Sequence, residues 1–167
     1  GIGSIGFRHA RLLSNRSNVE ILLCDTTQAH LDSAAILPNL GKLTNSFDEL
    51  LDSNLDGLII ATPDKFHVVQ TEAACRKGIA VLIEKPVAEN TEQGESLIQT
   101  ISETNAKVLV GYPLRHNSIF LKAKELIDDE LIGTPVSFHI MLGSYNTLVA
   151  AKNRFTPTDV NKLFVDY

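Results

Sequence analysis

The chain has 167 residues, 44% of them hydrophobic and 6% aromatic, enough apolar material for one domain with a substantial core and part of a second. Fifteen Lys and Arg against twenty Asp and Glu give a net charge of -5 with no basic block, so the field of the chain repels phosphate backbones and nucleic acid is excluded as a partner. No run reaches the ~18 apolar residues of a membrane span, and no membrane association is expected.

In chain order, the first feature is GIGSIG at residues 1–6, which runs into a helical pattern over 4–14. Short aliphatic stretches follow at 19–24 (VEILLC), 57–61 (GLIIA), 79–83 (IAVLI) and 107–112 (KVLVGY). They barely alternate, as strands buried on both faces must. Helical spacing fills the intervals at 27–37, 47–52, 64–77 and 91–103. Strands alternating with helices of this length form βαβ units, and the expectation is an α/β fold with a Rossmann-type doubly wound parallel sheet. Gly78 punctuates the end of one helix, and Thr91 with Gly94 stands where a capping pair would open another, with Glu92 in its first turn.

After Tyr112 the pattern changes. A helix is expected over 118–130, with apolar Ile119, Leu121, Ala123, Leu126 and Ile127, then a turn at 132–135 and a strand at 136–142. Residues 1–113 thus read as a dinucleotide-binding domain and 114–167 as the incomplete start of a second, α+β domain. Cys24 and Cys75 lie in apolar stretches with no secretion signal at the start, as befits two reduced thiols of a cytoplasmic protein.

Gly1, Gly3 and Gly6 have the G-x-G-x-x-G spacing. The first glycine makes a tight turn, the second lets backbone approach a pyrophosphate and the third packs helix on strand, with Ser4 and Ile5 completing the cradle. A glycine-rich loop without a ligand is an even alternative for that pattern alone. Asp25 shifts the balance, because it ends the next strand 19 residues after Gly6, near the ~20 expected for the carboxylate that holds the adenosine ribose. Asp25 is followed by Thr26 and Thr27, with no Arg or Lys before Lys42. A carboxylate accepts from a ribose diol and repels a 2′-phosphate, so NAD is expected in preference to NADP.

Residues 61–86 read ATPDKFHVVQTEAACRKGIAVLIEKP, with Thr62, Pro63 and His67 in a T-P-x-x-x-H arrangement and Glu84, Lys85 and Pro86 forming E-K-P. Together with the glycine turn, these ordered motifs resemble the Gfo/Idh/MocA family of oxidoreductases, and residues 111–138 resemble that family's passage into its substrate domain. The resemblance implies an oxidoreductase that moves a hydride between a nicotinamide cofactor and a secondary hydroxyl or ketone of a sugar, cyclitol or nucleotide-sugar. It also implies a strand before Gly1, a longer substrate domain after residue 142, and a D-x-x-x-H segment whose start would be Asp166. The expectation is therefore a chain truncated at both ends. A homo-oligomer assembled through the C-terminal domain is expected as well.

Lys85 is the candidate catalytic residue. It closes a strand at the carboxyl end, where ligands bind in parallel sheets, and alcohol oxidation needs a group to take the hydroxyl proton. A solvated loop lysine is the alternative. The resemblance implies that Pro86 is cis and that Thr62 and Pro63 line the cofactor. His67 and Glu84 are counted with the cofactor site, although packing suits His67 equally and orienting a neighbour suits Glu84 better than acting as base. Arg115 is a weak substrate candidate, with a surface role equally open. His9, His30, His116 and His139 show no ligand spacing with either cysteine, so no metal is expected. Two rivals stand beside the enzyme: a non-catalytic NAD-binding sensor or partner subunit, against which Lys85 speaks, and a methyltransferase-like protein, which E-K-P disfavours.

Overall fold

The computed structural model describes residues 1–139 and 141. The chain divides into two compact units, Gly1–Gly111 and Tyr112–Tyr167. In the first, α1 (Ser4–Ser14), β1 (Ile21–Cys24), α2 (Gln28–Ala34), β2 (Leu40–Thr44), α3 (Phe47–Leu51), β3 (Gly57–Ile60), α4 (His67–Arg76), β4 (Ala80–Ile83), α5 (Thr91–Thr104) and β5 (Val108–Val110) follow one another. All strand pairings are parallel, as expected of an α/β chain whose strands are joined by helical crossovers.

The pairings form two sheets: β1 with β2, and β3, β4 and β5 with β4 in the middle. Each sheet has its own core. Ile60, Val81 and Ile83 pack with Leu51, Ala74 and Ile79 around the three-stranded sheet, while Ile2, Leu31 and Ala34 gather Phe7, Leu23, Leu37 and Leu43 around the other. Burying these branched side chains supplies about 1.5–3 kcal/mol apiece, which holds the helices against the sheets.

Several boundaries differ from the expected ones. Strand β2 has no counterpart among the expected elements. Its pairing with β1 skips Gly41, so Leu40 faces Ile21 and Lys42 faces Leu22, and the extra residue breaks the two-residue alternation that would have marked LGKLT as a strand. The segment 64–77 is two elements, a 3₁₀ turn Asp64–Phe66 and then α4. Helix α4 ends at Arg76, and Gly78 just beyond it has a φ of +73°, the left-handed region that favours glycine. Helix α5 is capped one residue earlier than Thr91, by Asn90. The Asn90 side chain accepts from the Gln93 amide at 2.9 Å, and the Gln93 side chain accepts in return from the Glu89 amide at 3.0 Å, a reciprocal arrangement that Gly94 plays no part in.

In the second unit, a 3₁₀ turn Pro113–His116 precedes α6 (Ser118–Asp128), which is capped by the Asn117 side chain at the Ile119 amide. The strand expected at 136–142 is not found among the described residues. Val136 is 99% exposed and Phe138 71%, and neither belongs to a helix or strand among the described residues. Positions 140, 142 and Asp166–Tyr167 lie outside the described residues. Among the described residues, no helix is long and apolar enough to cross a membrane.

Candidate functional site

The site lies where the parallel strands end. Asp25 follows β1, Thr62 and Pro63 follow β3, and Glu84-Lys85-Pro86 follows β4, each at a carboxyl end. Strands that run in one direction deliver their following loops to one edge of the sheet, which is why these residues, distant in sequence, collect there.

The three glycines meet different surroundings. A Cβ on Gly6 would stand 2.0 Å from the Gly1 carbonyl oxygen and 3.5 Å from Ala61 Cβ, so only glycine lets α1 sit against the turn and the end of β3. A Cβ on Gly1 would meet Ala61 O at 2.7 Å. Gly3 differs, since nothing lies within 4 Å of a Cβ built on it. Gly3 is also the N-cap of α1, with no side chain capping the helix and no acidic residue in its first turn. The first amides of an eleven-residue helix are left without a side-chain acceptor, beside open space and next to exposed Ser4 and Ile5. That donor set suits the oxygens of a pyrophosphate. An open cleft of about 340 Å³ lined by Ile2, Gly3, Ser4, Phe7, His30 and Ser33 adjoins it.

Asp25 closes the far side of this turn. Its Oδ2 accepts from the Ile2 amide at 2.5 Å and lies 3.2 Å from His30 Nδ1, and its Oδ1 accepts from the Thr27 amide at 2.8 Å. Burial pushes the carboxyl up, but the two backbone amides and His30 outweigh it and hold the group below its ordinary value, so it is ionised. With one donor on Oδ1, that oxygen keeps a lone pair for a ribose hydroxyl. His30 was not among the expected site residues. It stands five residues beyond Asp25, across the first turn of α2, and only the folded chain shows that its ring returns to the carboxylate.

His67 corrects the expectation. It was counted with the cofactor contacts, yet it is 1% exposed, with Nδ1 2.6 Å from Pro86 O and Nε2 2.8 Å from Thr62 O. Burial and the two carbonyls leave the ring no surface for a ligand; it braces the loops after β3 and β4 from beneath. Thr62 donates its hydroxyl to Gln70 Oε1 at 2.7 Å, and Pro63 is exposed. Replacing His67 by Phe removes the ring nitrogens that stand beside those two carbonyls. His67→Phe is expected to cost about 2–4 kcal/mol in urea unfolding at pH 7, and a parental midpoint would refute the brace.

Lys85 is partly buried, its peptide with Pro86 is cis, and Pro86 itself is buried. Glu84 Oε1 accepts from His9 Nε2 at 2.8 Å. Arg115 belongs to the second unit, exposed in the 3₁₀ turn after Tyr112. Cys24 and Cys75 are free, and burial, the largest influence on each, pushes both thiols up and away from the reactive thiolate. Among the described residues, no cluster of His, Cys, Asp and Glu is arranged to hold a metal ion.

Comparison with known proteins bears on the same residues. Inositol 2-dehydrogenase of Rhizobium meliloti (strain 1021) is 29% identical over 135 residues, which cover 80% of this chain and 40% of that protein. The structure of scyllo-inositol dehydrogenase from Lactobacillus casei, with bound NAD(H) and scyllo-inositol, superposes with a TM-score of 0.74 at 28% identity, over 80% of this chain and 40% of that one. The fold extends further against myo-inositol 2-dehydrogenase from Lactobacillus plantarum, with a TM-score of 0.82 at 24% identity over 99% of this chain and 50% of that one. The chain thus spans about 40% of the length of the curated relatives it matches. Residues 1–112 match the family described as "Oxidoreductase family, NAD-binding Rossmann fold", so the chain belongs to the Gfo/Idh/MocA family and carries its NAD-binding domain.

Proposed function

We propose that the whole protein is an NAD-dependent dehydrogenase that exchanges a hydride with a secondary hydroxyl of a cyclitol or sugar. The observation that carries this reading is the placement of Lys85 at the carboxyl end of β4, in the same layer of loops as an uncapped glycine turn and an ionised Asp25. The likeness to dehydrogenases of inositols supports the substrate class. NAD, when bound, supplies the hydride acceptor.

The chain's own residues would do the rest. The turn Gly1 to Gly6 and the first amides of α1 would hold the pyrophosphate, Asp25 the ribose diol, and Thr62 and Pro63 the wall after β3. Lys85 would take the proton from the substrate hydroxyl as the C–H bond gives up its hydride, so that the alcohol becomes a ketone without a full alkoxide forming. Residues 114–167 would begin the substrate domain, with Arg115 a candidate contact for hydroxyls. The exposed apolar side chains Ile119 and Leu121 of α6 suit burial there or against a second copy in a homo-oligomer. Two unpaired cysteines suit the reducing cytoplasm.

The test is NADH formation when the whole protein is given NAD and myo-inositol, scyllo-inositol or a panel of aldoses; no turnover with any of them would refute the substrate class. Cofactor choice gives an independent check. NADH should bind at least about tenfold more tightly than NADPH by fluorescence titration, because a 2′-phosphate replaces a hydrogen-bonding hydroxyl with charge facing the Asp25 carboxylate. Asp25→Ser should narrow that preference. Tighter binding of NADPH to the parent would count against Asp25 as the ribose ligand.

A further inference from the structure

Glu84 has both carboxylate oxygens engaged inside the protein. Oε1 accepts from His9 Nε2 at 2.8 Å, a residue 75 positions earlier on α1, and Oε2 lies 3.4 Å from the amide nitrogen of Lys85. The two side chains are 25% and 12% exposed, so water competes weakly for the bond. From another side Gly111 approaches so closely that a Cβ there would stand 3.1 Å from Oε1 and 3.2 Å from Oε2. The backbone is anchored as well, with Glu84 N donating to Ile60 O at 2.9 Å and Gly111 N to Ile83 O at 2.8 Å. The carboxylate is therefore confined by a donor on α1 and by bare backbone at the end of β5, and its second oxygen, Oε2, accepts from the amide of Lys85, the residue whose side chain departs there.

We propose that His9 is a positioning residue for Lys85. By holding Glu84 Oε1, it fixes the carboxylate beside the Lys85 amide and so sets the direction in which the lysine leaves β4. His9 makes this bond from α1, the helix that also presents the glycine turn, so one rigid element aligns the cofactor cradle and the proton acceptor. A hydrogen bond to an ionised carboxylate is stronger than a neutral one, which suits it to this task. The proposal rests on the reading of Lys85 as the proton acceptor.

The test uses the whole protein, with NAD and myo-inositol for turnover, NADH fluorescence for cofactor affinity, and acetic anhydride labelling of Lys85 followed by peptide mass. His9→Leu should lower kcat by about 10- to 100-fold, the cost of a misplaced reacting group, while NADH affinity moves by less than about threefold. His9→Gln, whose amide nitrogen can stand near the lost Nε2, should recover most of kcat. Lys85 labelling, relative to the other lysines, should change by about threefold or more in His9→Leu and return in His9→Gln. The proposal is overturned if His9→Leu leaves both kcat and labelling within about twofold of the parent, or if His9→Gln is no better than His9→Leu. Full turnover by Lys85→Ala would sink the role of Lys85 instead, and labelling would still report whether His9 holds that lysine in place.

Discussion

Lys85→Ala is expected to lower turnover of the whole protein by about 100- to 10,000-fold, the range of a general acid–base group, with NADH affinity changed by less than about threefold. The asymmetry follows from where the residue acts. Lys85 sits after β4 beside a buried proline, while the glycine turn and Asp25 offer the polar groups suited to the cofactor's phosphates and ribose. Its amine matters when the hydroxyl proton departs, so its loss falls on the barrier, as about 3–5 kcal/mol, and hardly on the resting complex. Lys85→Arg should be nearly as poor, because a guanidinium stays protonated and cannot accept a proton. Steady-state kinetics and NADH titration of the two variants decide the matter. If both turn over at the parental rate, the proton goes elsewhere and Lys85 is a structural residue of the loop.

Much of this site was legible because its chemistry is local. The glycine turn is read from its spacing together with Asp25 at the end of the next strand, and two of its glycines, Gly1 and Gly6, answer close approaches by backbone a few residues away or at the end of β3. The strands of the three-stranded sheet announce themselves as unbroken aliphatic runs, and Ile60, Val81 and Ile83 within them form its core. What escaped was set by contacts that sequence order hides. Strand β2 lost its alternation to the bulge at Gly41, and the cap of α5 fell to Asn90, whose side chain accepts from the Gln93 amide. His67 lies in the motif segment that carries the cofactor-site expectation, yet its ring is buried with one nitrogen near each of two carbonyls from separate loops. His9 pairs with Glu84 across 75 residues, a separation at which no periodicity or motif in a single sequence connects one to the other.

The glycine turn supplies the second large effect, and two alanine substitutions separate its two tasks. Gly6→Ala places a Cβ 2.0 Å from the Gly1 carbonyl oxygen, a backbone atom that no rotamer change can move. Helix α1 must shift away from the turn, so the core contacts of Ala10 and Phe7 loosen together with the cradle. A loss of about 2–4 kcal/mol in stability is expected, along with NADH binding weakened by about 100-fold or more, since overpacking and a displaced helix N-terminus act together. Gly3→Ala is the opposite case. Its Cβ meets nothing within 4 Å, so the melting temperature should stay at the parental value. The same Cβ occupies the open space in front of the uncapped α1 amides, where a pyrophosphate has to come close, and NADH affinity should fall by about tenfold or more. Thermal melts and fluorescence titration of both variants read the two effects independently. If Gly3→Ala binds NADH like the parent, the open face of the turn does not receive the pyrophosphate, and what remains of the motif is the tight packing at Gly1 and Gly6.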